Sequence, residues 1–164
     1  MPITKFQKLF FMSLTVLISV NAFVIYNVAI SMGSMSNQVF LIAIKEVPKE
    51  FIIAFFLELF FVSAAAEKLA FKIVNPEQDR PFFIILAITC MTVLIMCPAM
   101  SFAATILYDG LNVEFVSHWF QKIVYNFPFA FFSQIFIIGP LVRLVFRLVF
   151  RQLNNTDDII EVYS

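Results

Sequence analysis

The chain has 164 residues, of which 62% are hydrophobic, 13% are charged and 23 are phenylalanine, and its basic and acidic residues cancel to a net charge of zero. A soluble domain carries roughly 45–50% apolar and about 25% charged residues, and one this small could not hide such a surplus, so a water-soluble fold is excluded. Eleven basic residues without a basic run argue against a nucleic-acid partner.

Four apolar stretches reach the ~20 residues needed to cross a hydrocarbon core about 30 Å thick. They run from about Leu9 to Met32, Phe51 to Val74, Pro81 to Tyr108 and Phe127 to Phe150. Lipid offers no partner for free backbone groups, and continuous apolar runs without strict alternation do not suit a barrel, so four helices are expected. Lys5 and Lys8 precede the first stretch as in a signal peptide, but its apolar run is longer than the roughly 7–15 residues of such a core. An uncleaved first helix is expected.

Two outer segments join the stretches. Residues 37–47 read as a short apolar helix at the interface. In 113–125, Val113, Val116, Phe120 and Ile123 recur at helical spacing, with Glu114, Ser117, His118, Gln121 and Lys122 on the opposite face. That pattern predicts an amphipathic interfacial helix anchored at headgroup level by Tyr108, Trp119 and Tyr125. Residues 152–164, with Asp157, Asp158 and Glu161, read as a polar tail.

The chain also repeats itself. Thr15-Val16-Leu17-Ile18 returns as Thr92-Val93-Leu94-Ile95, and Gly33 as Gly110, at a spacing of 77. Phe51-Ile52-Ile53-Ala54-Phe55-Phe56 returns as Phe127-Pro128-Phe129-Ala130-Phe131-Phe132 at a spacing of 76. The pattern predicts two helical hairpins, 5–75 and 80–151, which point the same way because each contains two spans. Lysine and arginine placement sets the orientation. Lys5, Lys8, Lys68, Lys72, Arg80, Arg143, Arg147 and Arg151 fall on one side against Lys45, Lys49 and Lys122 on the other, eight against three, so both termini are expected in the cytoplasm.

Polar groups inside hydrocarbon are expensive and mark candidate sites. Glu58 lies seven residues into the second stretch, about 10 Å below the outer face at ~1.5 Å per residue. Asn21 and Gln134, the repeat partner of Glu58, fall at a similar depth, and the three are expected to form one polar layer. A carboxylate at that depth is expected to be neutral or paired. The layer reads either as a protonatable site on a path for a proton, cation or small solute, or as interhelical hydrogen bonding worth about 1 kcal/mol or less per bond. The second reading is preferred.

Glu67 and Arg143 are a second candidate, an ion pair about 9–10 Å from the cytoplasmic ends of their helices. Ser63 and Gly139, one turn earlier, would permit close helix approach. A one-residue gap instead aligns Lys68-Leu69-Ala70-Phe71-Lys72 with Arg143-Leu144-Val145-Phe146-Arg147, and the basic side chains then reach the cytoplasmic surface. Cys90 and Cys97, seven apart on one helix face, lie too far apart to bridge and read as small packing residues. His118 reads as an interfacial polar residue. Pro98 and Pro140 are expected to kink their helices, and Pro128 to sit near the start of one. No nucleophile–base set, phosphate-binding glycine loop or metal cluster can be assembled, so neither catalysis nor a cofactor or metal is expected.

The segments Asn126-Phe127-Pro128-Phe129-Ala130-Phe131 and Gly139-Pro140-Leu141-Val142-Arg143 resemble a family of small bacterial membrane proteins, the domain-of-unknown-function family numbered 2798. The resemblance covers both halves and is closer in the second, since the first has Ala64 where Pro140 stands and Glu50 where Asn126 stands. It implies a two-helix hairpin unit in a bacterial inner membrane and supplies no activity or site residues.

The expected fold is therefore all-α: four transmembrane helices as two parallel-oriented hairpin repeats, with short interfacial amphipathic helices in the outer loops. The expected function is that of a non-enzymatic accessory or interaction protein of the inner (plasma) membrane. The alternative is a small proton- or cation-linked transporter or permeation unit using Glu58. Two thin polar layers separated by Phe, Leu and Ile favour the first. Its expected partners are the lipid bilayer and a second copy of the chain or another membrane protein.

Overall fold

A computed structural model describes residues 5–150, and within them the chain forms four helical rods and no strand. Residues 1–4 and 151–164, including Arg151 and the polar tail 152–164, lie outside the described residues.

The first helix, Lys5–Met32, is 28 residues long and stops at Gly33, whose φ of +67° costs least for a residue without a Cβ. The third, Pro81–Tyr108, has the same 28 residues. It starts on a proline, whose missing N–H would be unpaired there anyway, and stops just before Gly110 at φ +71°. The second and fourth are longer and each contains a widened turn. The second runs over residues 37–70 as α-helix Asn37–Leu57, a π-helical turn Glu58–Val62 and α-helix Ser63–Ala70. The fourth, Phe115–Phe150, runs as α-helix Phe115–Ser133, a π-helical turn Gln134–Ile138 and further helix to its end.

The outer segments 37–47 and 113–125 are thus not separate interfacial helices. From Asn37 and from Phe115 the backbone runs unbroken into the apolar part of the second and fourth helices. No glycine intervenes to turn the chain, and Pro48 and Pro128 each remove one donor without ending the helix. At ~1.5 Å per residue such rods are about 50 Å long, so their outer ends extend past a 30 Å core. At the other end, the second helix stops at Ala70, short of the expected Val74, whose N–H folds back to the Ala70 carbonyl at 3.0 Å.

Helices adjacent in sequence pack together, and the fourth closes against the first. Val16, Val20 and Val24 of the first helix meet Ala43 and Ala54 of the second, with Met96 and Met100 of the third against them. Val93 and Cys97 meet Ala130 and Phe23. Rings join first to fourth: Phe11 meets Phe146 edge-on at 5.5 Å, and Tyr26 stacks on Phe129 at 4.0 Å.

The outside of the bundle is apolar. Phe60 is 63% exposed and Phe136 68%, within ladders of exposed Phe, Leu and Ile that water would not tolerate. Phe6–Met32, Pro81–Tyr108 and Phe115–Phe150 are each long and apolar enough to cross a membrane. The second helix differs in carrying Glu50, Glu58 and Glu67 within eighteen residues.

Candidate functional site

In an ideal α-helix a step of four residues overshoots a full turn by roughly 40°, so a row of every fourth residue drifts around the rod. On the second helix the buried residues Ala54, Val62, Ala66 and Ala70 nevertheless form such a row, with Glu58 in it. The widened turn beginning at Glu58 takes up the drift: the Ser63 N–H reaches back five residues to the Glu58 carbonyl. The fourth helix repeats the arrangement. Ala130, Ile138 and Val142 are buried in a row with Gln134, and the Gly139 N–H closes on the Gln134 carbonyl. Glu58 and Gln134 thus each open a π turn on an inward-facing row.

Both side chains line a cavity of about 1230 Å³ whose wall draws on all four helices. Between them, Ser19 of the first helix donates to Gln134 Oε1 at 3.2 Å. The Glu58 carboxyl makes no hydrogen bond or ion pair with any described residue. Two turns outward on the fourth helix, about 12 Å from Gln134, Asn126 is 7% exposed and its Oδ1 has no hydrogen-bond partner. The remaining wall is largely apolar, with the partly buried Met12, Val28, Met96 and Met100 in it. The cavity reaches Lys8 and Glu67 at one end and Tyr108, Asp109 and Lys122 at the other.

That outer mouth is a polar cluster. The Tyr108 hydroxyl lies 3.0 Å from Glu46 Oε2 and 2.9 Å from Glu50 Oε1. Lys122 Nζ donates to Asp109 Oδ2 at 2.7 Å and sits 5.9 Å from the Tyr108 ring centroid. The ring of His118 lies beside the same Asp109 oxygen at 3.8 Å and beside Glu114 at 3.4 Å. Burial holds the Glu50 carboxyl above the ordinary glutamate value, with the Tyr108 contact opposing. The hydrogen bond from Lys49 moves Glu46 the other way, below it. Trp119 fixes the mouth from outside, its indole N–H donating to the Pro98 carbonyl at 3.0 Å.

Of the residues singled out from sequence, Glu58, Gln134 and Glu67 line the cavity. Asn21 does not: its amide donates back to the Leu17 carbonyl of its own helix at 2.8 Å, and Ser19 is the first-helix group that reaches Gln134. Glu67 and Arg143 form no ion pair; both are exposed. Ser63 and Gly139, expected only to allow close approach, close the two π turns. Cys90 and Cys97 are free thiols. Among the described residues no three His, Cys, Asp or Glu converge as a metal site would need. The arrangement can take up a small polar or charged solute, with one unpaired carboxyl midway along a largely apolar path.

Comparison with known proteins places the chain among relatives of undefined activity. The family model described as a domain of unknown function, DUF2798, matches residues 82–150. The uncharacterized protein YybC of Bacillus subtilis strain 168 is 30% identical over 149 residues, which cover 89% of this chain and 92% of that protein. No solved structure matches.

Proposed function

The chain belongs to the DUF2798 family, a domain of unknown function, and on that premise we propose that it is a small, non-enzymatic permeation or transport unit of the bacterial inner membrane, built as two tandem hairpins that enclose a solute path with Glu58 at its midpoint. The observation that carries this reading is the single cavity that reaches from Glu67 to Tyr108 past an unpaired Glu58. The accessory role rested on two polar layers kept apart by apolar residues. A cavity of about 1230 Å³ running past both layers favours transport.

All four helices span. The second packs between first and third along the same cavity, so it crosses where they cross, and it offers Phe56 and Phe60 to lipid while its carboxylates face inward. Both termini are cytoplasmic on the lysine and arginine bias.

Duplication is supported by features recurring 76 or 77 residues apart. The two π turns start at Glu58 and Gln134, and the two positive-φ glycines are Gly33 and Gly110. The ring contacts Phe51–Phe55, Phe55–Phe56 and Phe56–Phe60 return, in the same geometries, as Phe127–Phe131, Phe131–Phe132 and Phe132–Phe136. The stretch matched by the family model, 82–150, is one such hairpin.

Flux into proteoliposomes tests the function. Glu58→Gln, which keeps size and hydrogen-bonding capacity, is expected to fold with wild-type stability and abolish flux of protons, monovalent cations or small amines, while Glu58→Asp retains part of it. Wild-type flux in a stably folded Glu58→Gln would return the polar groups to a structural role.

A further inference from the structure

Building on the permeation reading, we infer that the solute is a lipophilic organic cation, an amphipathic amine or onium ion, and not a bare metal cation or an anion. The sign of charge follows from the lining. Glu46, Glu50, Glu58, Glu67 and Asp109 face the cavity against only Lys8 and Lys122, five carboxyls to two ammonium groups. Lys122 is already held by Asp109 at 2.7 Å. Midway along the path no cation lines the wall, and the Glu58 carboxyl, without a partner among the described residues, offers oxygen to a positive charge. An anion would meet more carboxyls than ammonium groups, and at the level of Glu58 a carboxyl with no cation beside it.

The argument against a naked inorganic cation is coordination. Such ions exchange their water for six or more converging oxygens. Here the carboxyls are strung out instead: Glu50 and Glu58 are eight residues apart on one helix, about 12 Å, and Glu67 lies nine further on, about 13 Å. No three of them converge.

An organic cation needs far less. Its single diffuse charge can pair with one carboxyl, while its hydrocarbon is removed from water by Met12, Val28, Met96 and Met100 at roughly 25 cal/mol per Å². The Phe23 ring on the same wall adds further apolar surface. The volume of about 1230 Å³ is enough for a bulky ligand, since pockets for drug-sized molecules run about 300–1,000 Å³.

Two ions of nearly identical size and shape and opposite charge make the test. Full-length protein in nanodiscs of zwitterionic phospholipid is equilibrated with radiolabelled tetraphenylphosphonium or with tetraphenylborate. Tetraphenylphosphonium is expected to bind saturably to one displaceable site, and tetraphenylborate only to partition unsaturably into lipid. Glu58→Gln should weaken the saturable component at least tenfold and Glu58→Asp less, with Glu77→Gln, in the loop after the second helix, unchanged. Saturable binding of both ions alike, no saturable binding of tetraphenylphosphonium, or wild-type affinity in a folded Glu58→Gln would each overturn the inference. If Glu58→Gln does not fold, the comparison of the two ions on the wild type still decides. Flux assays on the same preparation separate this inference from its premise. Glu58-dependent flux of protons or sodium without tetraphenylphosphonium binding would sink the substrate class alone, and absence of both would sink the permeation reading with it.

Discussion

The hydroxyl of Tyr108 has one hydrogen to donate and two carboxyl neighbours, Glu46 at 3.0 Å and Glu50 at 2.9 Å. Both contacts become hydrogen bonds when one carboxyl carries its own proton, and Glu50, just outside the apolar span, is the one that burial inclines to keep it. A carboxyl whose folded value is raised favours folding fully below its unfolded value, and the gain is lost as pH rises through the folded value. Wild type and Glu50→Gln should therefore have similar thermal midpoints near pH 4, with wild type falling behind toward pH 8. Glu46 is lowered by Lys49, so its contribution is present at neutral pH and lost as pH falls. Glu46→Gln should cost less than about 1 kcal/mol near pH 7 and nothing at pH 4, since exposed pairs are weak. Melting curves in detergent across that range check both signs. Glu58 and Gln134 were legible as candidates because each is a polar residue interrupting an apolar run. Ser19 was not. Helical hydroxyls commonly bond their own backbone, as Ser13 does to Leu9 and Thr15 to Phe11, and nothing in the sequence marks the one that reaches across instead. Asn21 misled for the complementary reason: two residues from Ser19, it stands on nearly the opposite face, where depth alone could not distinguish them.

The elements divide in the same way. Helix positions followed from apolar length, and the third came out at the predicted Pro81–Tyr108. The outer segments were misread because amphipathic periodicity does not say whether a helix lies along the interface or stands up from it; that depends on a break, and none is present between Asn37 and Leu57 or between Phe115 and Ser133. The π turns left a trace that composition could not decode. Small or branched residues recur every fourth position, at Ala54, Val62, Ala66 and Ala70 and again at Ala130, Ile138 and Val142, where an α-helix facing one partner would vary steps of three and four. Pro140 does not explain the widening, because Ala64 takes its place in the other turn. The helix-ending glycines give a cleaner test. Space around Gly33 and Gly110 is open, so a methyl group there meets no atom and the cost is backbone alone. Gly33→Ala and Gly110→Ala should each lower stability by about 1–2 kcal/mol. The double variant should be additive, since the two turns share no partners. Thermal midpoints of the two single variants and the double would show it.

At the scale of the whole molecule, three spans and four spans differ in where the ends lie. Reporter fusions after Ser164 and within 34–37 should report opposite compartments, the first cytoplasmic. The same compartment for both would remove the four-span topology. The duplication proposed above bears on what can stand at the bundle centre. Two identical hairpins associating as a dimer would be obliged to present the same side chain twice at that level: two carboxyls, repelling when ionised, or two amides, with no charge to offer. Joining the copies in one chain frees the positions to diverge. Glu58 on one side faces a counterpart that has become Gln134, already occupied by Ser19. A near-symmetric scaffold therefore holds one acid instead of two. A centre of that kind can hold one charge at a time.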